Sequence, residues 1–225
     1  MTRSSLSAEH LRRALPTPLR RWWRGQPRLA LEDSATVQIV EQLPITPDDR
    51  LLVLGRDAPL LAALLADAAQ LEQRPLALVG RTASAPSPAE FEIDILRGRA
   101  DRIPLADASV SVAVVPHQLR RWDDERVLRV LRELWRVLEH NGVAALWEIA
   151  PSRSARLNAL WRVALSDAHG PPQLRSFAQL GRFAYDAHFA WVQTLPLRPF
   201  LWPPGPRVSI LIRKEHYRRD GTGVE

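Results

Sequence analysis

Three glycines, Gly55, Gly80 and Gly98, each close a short apolar stretch, and each is followed by an arginine: Arg56, Arg81 and Arg99. Guanidinium groups standing after three successive strands would form a cleft for an anion, such as a nucleotide or a phosphorylated metabolite. The plainer alternative is that long arginine side chains at strand ends lean into water. A single histidine, His117, follows the apolar run Val110 to Val115 and is the best placed general base. Its alternative is a loop residue that faces solvent. Asp123-Asp124-Glu125 has the composition of a catalytic acid cluster, but at a helix start it reads as a cap and a complement to the helix dipole. The chain has no Cys, which excludes thiolate catalysis, disulfides and cysteine metal sites. Its six His are scattered singly, with no metal-spaced pair, no Walker loop and no Gly-x-Gly-x-x-Gly after a strand.

The elements that would position these residues follow from composition and periodicity. At 225 residues, 46% of them hydrophobic and eight of them Trp, the chain can bury one α/β domain with a little extra. Formal charge is +6, and Lys214 is the single lysine. So complete a bias to arginine fits an Arg-favouring coding background better than a nucleic-acid surface. No apolar run reaches the roughly 18 residues of a membrane span. The first residues lack the charged-then-apolar order of a signal peptide, so a cytoplasmic location is expected.

Residues 1–28 read as a basic arm with Arg20-Arg21-Trp22-Trp23-Arg24 at its centre and a short helix near Ser7 to Leu15. The main domain is expected over 29–215, with a disordered tail over 216–225. Glu32 to Leu43 has helical spacing. Leu51 to Leu54 reads as a buried parallel strand, and Leu76 to Val79, Phe91 to Leu96, Val110 to Val115 and Val143 to Ile149 read as further strands. Between them, Pro59 to Leu71 and Asp123 to Glu139 read as helices, the latter stopped by His140-Asn141-Gly142 with a left-handed residue at Asn141 or Gly142. Thr82 to Pro88 reads as a loop. Helices are expected over Ser154 to Leu165 and Ser176 to Ala184. Trp191 to Leu197 and Arg207 to Ile212 then form a hairpin across the Pro-rich turn Trp202 to Pro206. Strands alternating with helices imply a doubly wound, mostly parallel α/β sheet with an antiparallel C-terminal hairpin. Ligands on such sheets sit beyond the carboxyl ends of the strands, so residues after Leu54, Val79, Leu96 and Val115 would line the pocket.

The order from Arg97 to Glu148, with the turn Ile103-Pro104-Leu105-Ala106-Asp107-Ala108-Ser109 between strands, resembles the second half of a class I S-adenosylmethionine (SAM) methyltransferase domain of the type-11, quinone-biosynthesis-like class. The resemblance covers roughly Arg50 to Ile149. It implies SAM as cofactor and a cofactor site at Leu54, Gly55, Arg56, Asp57, Gly80, Arg81, Thr82, Arg99, Ala100 and Pro116, with His117 as catalytic candidate. The chain departs from the family pattern within that site. Leu52-Val53-Leu54-Gly55-Arg56-Asp57-Ala58-Pro59 keeps one of three glycines, and Gly98-Arg99-Ala100 carries arginine where the family has an acid. Four acid positions read Val53, Thr82, Arg99 and Ser111. Each lost charge-assisted hydrogen bond is worth about 1.5–3 kcal/mol.

Two functions follow from the resemblance. One is methyl transfer from SAM to a small-molecule acceptor. The other is a catalytically silent methyltransferase-fold module, with an anionic ligand at Arg56, Arg81 and Arg99 or an acidic partner or anionic membrane surface at the arm. The plainer account of the arm is a flap whose Trp residues cover the domain itself.

Overall fold

The first strand, β1 (Leu51–Leu54), is buried along its whole length. Its side chains alternate between two cores: Leu51 and Val53 face one, Leu52 and Leu54 the other. That is why the sequence shows a continuous apolar run, since a strand covered on both faces has no polar side. The computed structural model describes residues 42–43, 45–55, 58–81, 92–166, 170–195 and 207–215. The arm over 1–28, most of the expected helix over Glu32 to Leu43, the 82–88 loop, the turn over 202–206 and the tail lie outside the described residues.

After β1 come α1 (Ala58–Ala69), β2 (Leu76–Val79), β3 (Asp94–Arg97) and β4 (Val110–Pro116). A single 3-10 turn (Leu119–Arg121) then leads to α2 (Asp124–Val137), β5 (Leu138–Ile149), α3 (Ala155–Ala164), α4 (Phe177–Asp186), β6 (Trp191–Thr194) and β7 (Arg207–Arg213). The strands form one seven-stranded sheet in the order β3-β2-β1-β4-β5-β7-β6. The first five strands run parallel, and β7 inserts antiparallel between β5 and β6. The order reverses between β1 and β4, which opens a crevice at their carboxyl ends.

Helix α1 covers one face through Leu60, Leu61, Leu64 and Leu65 against Val53, Ala77, Val112 and Trp147. Helix α2 covers the other through Val127, Val130, Leu131, Leu134 and Val137. Its start is set by Asp123, whose carboxylate accepts the Arg126 N–H at 2.7 Å, a cap worth about 1 kcal/mol. Asp124 pairs with Arg175 and Glu125 with Arg129, so the acid cluster is absorbed by the helix start. Ser154 and Ser176 cap α3 and α4 in the same manner.

Most element ends fall within two residues of the sequence expectation; the larger differences include those at β3 and at the junction of α2 with β5. Strand β3 starts at Asp94 rather than Phe91. Helix α2 ends at Val137, and β5 begins at once with Leu138, five residues before the expected Val143. Asn141 is left-handed at φ +63°, but inside the irregular first part of β5 rather than at the helix end. The cause is tertiary. Lys214, 7% exposed, donates from Nζ to Leu138 O at 2.6 Å and lies 4.3 Å from the Trp135 ring centre. Its backbone exchanges hydrogen bonds with Asn141 and Gly142. These contacts from the end of β7 draw residues 138–142 into the sheet.

Candidate active site at the carboxyl rim of the sheet

Gly55, Gly80 and Gly98 close neighbouring strands at one rim. The Gly55 N–H donates to Leu78 O at 3.2 Å and the Gly98 N–H to Val79 O at 3.1 Å. Gly55 has φ +130°, a conformation that side chains with a Cβ rarely adopt. At Gly98 an added Cβ would stand 3.0 Å from Pro104 Cδ, a crowded approach that favours glycine. Leu54 is 1% exposed and belongs to the core beneath the rim, whereas Gly80 and Arg81 are exposed. Ala100 packs against the α2-side core, and Pro116 ends β4 opposite Trp147. Arg56, Asp57 and Thr82 lie outside the described residues.

The acid positions have separate fates. Val53 is fully buried and faces the α1-side core. Ser111 does not belong to the site: it lies at the amino end of β4, where its hydroxyl accepts the Arg50 N–H at 2.8 Å, across the sheet from the rim. Arg99 is exposed but grips Asp101 through two hydrogen bonds of 2.9 and 2.7 Å. The Arg99 guanidinium holds the Asp101 carboxyl down at about 2, and Arg126 and Arg129 approach it at 3.9 and 3.8 Å. Asp101 is thus committed to arginines and is not a spare acceptor. Of the arginines expected to hold an anion, Arg99 is paired with Asp101, and Arg81 is exposed with its carbonyl accepting from Arg97 at 3.4 Å.

His117 is buried, 3% exposed, and does not face solvent. Its φ of +49° turns the chain sharply after β4, and its N–H donates to Trp147 O at 2.9 Å. That turn carries the imidazole towards β5. Nδ1 lies 3.9 Å from Glu148 Oε2, and the ring meets Trp147 edge-on at 6.4 Å between centres. Neither ring nitrogen makes a hydrogen bond. Burial, with the charges of Arg120, Arg207 and Arg121, holds the imidazole neutral, well below its usual titration range. Glu148 is 1% exposed and accepts the Arg120 N–H at 3.1 Å and Arg120 Nη1 at 3.2 Å. Its carboxyl is pushed up, because loss of hydration outweighs those contacts.

Glu148 and Arg120 are the functional candidates that sequence reasoning missed. The signal was present, since Glu148 is the lone acid in the otherwise apolar run Val143 to Ile149 and a buried carboxylate needs a partner. The segment around them is braced by Arg175, buried at 4% exposure. It donates to Leu119 O and Trp122 O, each at 2.6 Å, and to Asp124 Oδ1 at 2.7 Å. Among the described residues no cluster of His, Asp and Glu could hold a metal ion, and no helix is long and apolar enough to cross a membrane.

Residues 54–146 match a family model described as a methyltransferase domain. No curated protein matches the chain by sequence. Among solved structures, SibL, a SAM-dependent methyltransferase in its apo form, superposes with TM-score 0.67 at 18% identity, over 92% of this chain and 62% of that one. Human N-acetylserotonin methyltransferase, solved with SAM, gives 0.63 at 14% identity over 93% of this chain and 57% of its own. The [4+2]-cyclase SpnF gives 0.63 at 14% identity over 80% of each chain. The chain has the class I SAM-dependent methyltransferase fold, and its residues 54–146 match the methyltransferase-domain model. The chain spans little more than half the length of the human enzyme. Identities this low establish the fold alone, and SpnF is named for a different reaction on it.

Proposed function

We propose that the protein transfers a methyl group from SAM to a small-molecule acceptor, with His117 as the general base. The observation that supports this most directly is the buried His117–Glu148 pair at the carboxyl ends of β4 and β5, beside the crevice where the strand order reverses. The rim offers the cofactor a glycine turn at Gly55, φ +130°, with the small Ala100 nearby, although Gln118 lies over Gly55 and Pro104 over Gly98. It lacks the acids of the family pattern at Val53 and Arg99. When bound, SAM supplies an electrophilic methyl group on a sulfonium.

The chain's own residues supply a base and its counter-charge. With Nδ1 turned to Glu148, Nε2 is the nitrogen assigned to take the acceptor's proton. Because it is buried, the turn after β4 must open to admit the acceptor. The neutral state forced by burial leaves its lone pair available. As the imidazolium forms, the Nδ1–H closes on Glu148, whose raised basicity favours that contact. Arg120 fixes the carboxylate in place. An acceptor hydroxyl or amine delivered to this dry site needs such a base, because water there is too scarce to take the proton.

A second reading, a silent module on this fold, draws support from the Arg99–Asp101 lock and from Val53. Calorimetry of the full chain with SAM and S-adenosylhomocysteine separates the two. Binding tighter than tens of micromolar favours the enzyme, and the absence of heat at millimolar ligand favours the silent module. With binding established, His117→Gln should abolish methyl transfer to any acceptor found, while ligand affinity stays within a factor of about two, a change of ~0.4 kcal/mol.

A further inference from the structure

The residue after His117 turns the opposite way. Where the imidazole goes to β5, the side chain of Gln118 crosses to β1 and lies flat on the open face of Gly55. A Cβ built at Gly55 would meet Gln118 Nε2 at 2.9 Å and its Cδ and Cγ at 3.0 Å. The Gln118 carbonyl accepts the Arg121 N–H at 3.0 Å, which anchors its backbone at the start of the 3-10 turn. Its carboxamide makes no hydrogen bond among the described residues. One amide donor and one amide acceptor therefore stand unused in the crevice between β1 and β4, against the glycine that gives a ligand its closest approach to backbone. Nothing about the packing of the core requires an amide there.

We infer that Gln118 is a ligand-binding side chain: its carboxamide hydrogen-bonds SAM or S-adenosylhomocysteine over Gly55 and supplies a neutral contact in a cradle short of acids. The inference rests on the methyl-transfer reading above. An amide can donate and accept at once, so it suits a ligand that carries ammonium, carboxylate and hydroxyl groups, and it does so without bringing a second charge beside a sulfonium. The rotation that lifts Gln118 from Gly55 onto the ligand starts one residue from His117, so cofactor contact and base share one turn of chain.

The test is calorimetry with S-adenosylhomocysteine on the full chain, wild type against Gln118→Ala and Gln118→Asn, with thermal melts alongside. The expected result is binding by wild type, and affinity about tenfold weaker in both variants, the factor one net hydrogen bond is worth, at unchanged melting temperature. Asn keeps the amide but withdraws it by one methylene, so it reports reach even if Ala folds poorly. Wild-type binding with equal or tighter binding by the variants overturns the role of Gln118 and leaves the methyl-transfer reading standing; tighter binding makes the side chain an obstruction. No binding by wild type at millimolar ligand overturns both.

Discussion

Replacing Glu148 by alanine removes the counter-charge of a guanidinium that has almost no access to water. The Arg120 side chain is 6% exposed and that of Glu148 is 2%. The carboxylate also takes up the Arg120 backbone N–H, so one substitution removes two hydrogen bonds to Arg120 at once. Breaking a buried pair from one side costs about 3–5 kcal/mol, because the remaining charge loses its buried counter-ion. At ~2–4 °C per kcal/mol for a domain of this size, the melting temperature should fall on the order of 10 °C. Glu148→Gln keeps the volume and an accepting oxygen and should lose less than half as much. The double variant Arg120→Met, Glu148→Leu removes both charges and should recover most of the loss. Guanidinium denaturation followed by Trp fluorescence, with thermal melts, measures all four proteins. A cost below about 1 kcal/mol for Glu148→Ala, the range of an exposed ion pair, would refute the buried pair. So would a double variant no more stable than the single one.

Acid should weaken the fold through His117. Its folded pKa is depressed, so its contribution is fully present above about 6.5 and is lost as pH falls below that value, at up to ~1.4 kcal/mol per unit. The raised pKa of Glu148 acts in the opposite sense, favouring the fold as pH falls towards its unfolded value near 4.5. Urea curves between pH 5 and 8 should therefore be flatter for His117→Asn and steeper for Glu148→Gln than for wild type. Gly98→Ala should cost about 1–3 kcal/mol, since its Cβ meets Pro104 and Leu78 at 3.0 and 3.3 Å. Gly80→Ala meets nothing and should change stability by less than about 0.5 kcal/mol; equal losses at the two glycines would contradict the crowding at Gly98. Asn141→Val should cost about 1–2 kcal/mol at its left-handed backbone, and Asn141→Gly little or nothing. Denaturation midpoints of the two Asn141 variants decide that point.

The sheet was legible because its inner strands are apolar on both faces. Leu51–Leu54 and Leu76–Val79 have no alternative to a buried strand once Gly55 and Gly80 end them. The end of α2 was not legible, because His140-Asn141-Gly142 carries a stop signal that the chain spends inside β5. What moves the boundary to Val137 is Lys214, 76 residues from the carbonyl it holds. The rim glycines were placed from order alone, whereas the setting of His117 was only half visible. His117 could be set at the end of β4, but not its burial, which depends on a left-handed turn and on Glu148 across the strand pair. Arg99 was readable as the residue replacing an acid. That it would close on Asp101 two positions later was not, because the partner is chosen by a local loop and by Arg126 and Arg129 from α2.

Lys214 turns the chain's bias against lysine into something practical. Acylating and alkylating reagents need a solvent-accessible, unprotonated amine, and this nitrogen is shielded by Trp135 while donating to Leu138. A reagent reaches it only when the β5–β7 seam parts. The rate at which a covalent tag accumulates there would therefore time the opening of that seam, with no other lysine to confuse the reading.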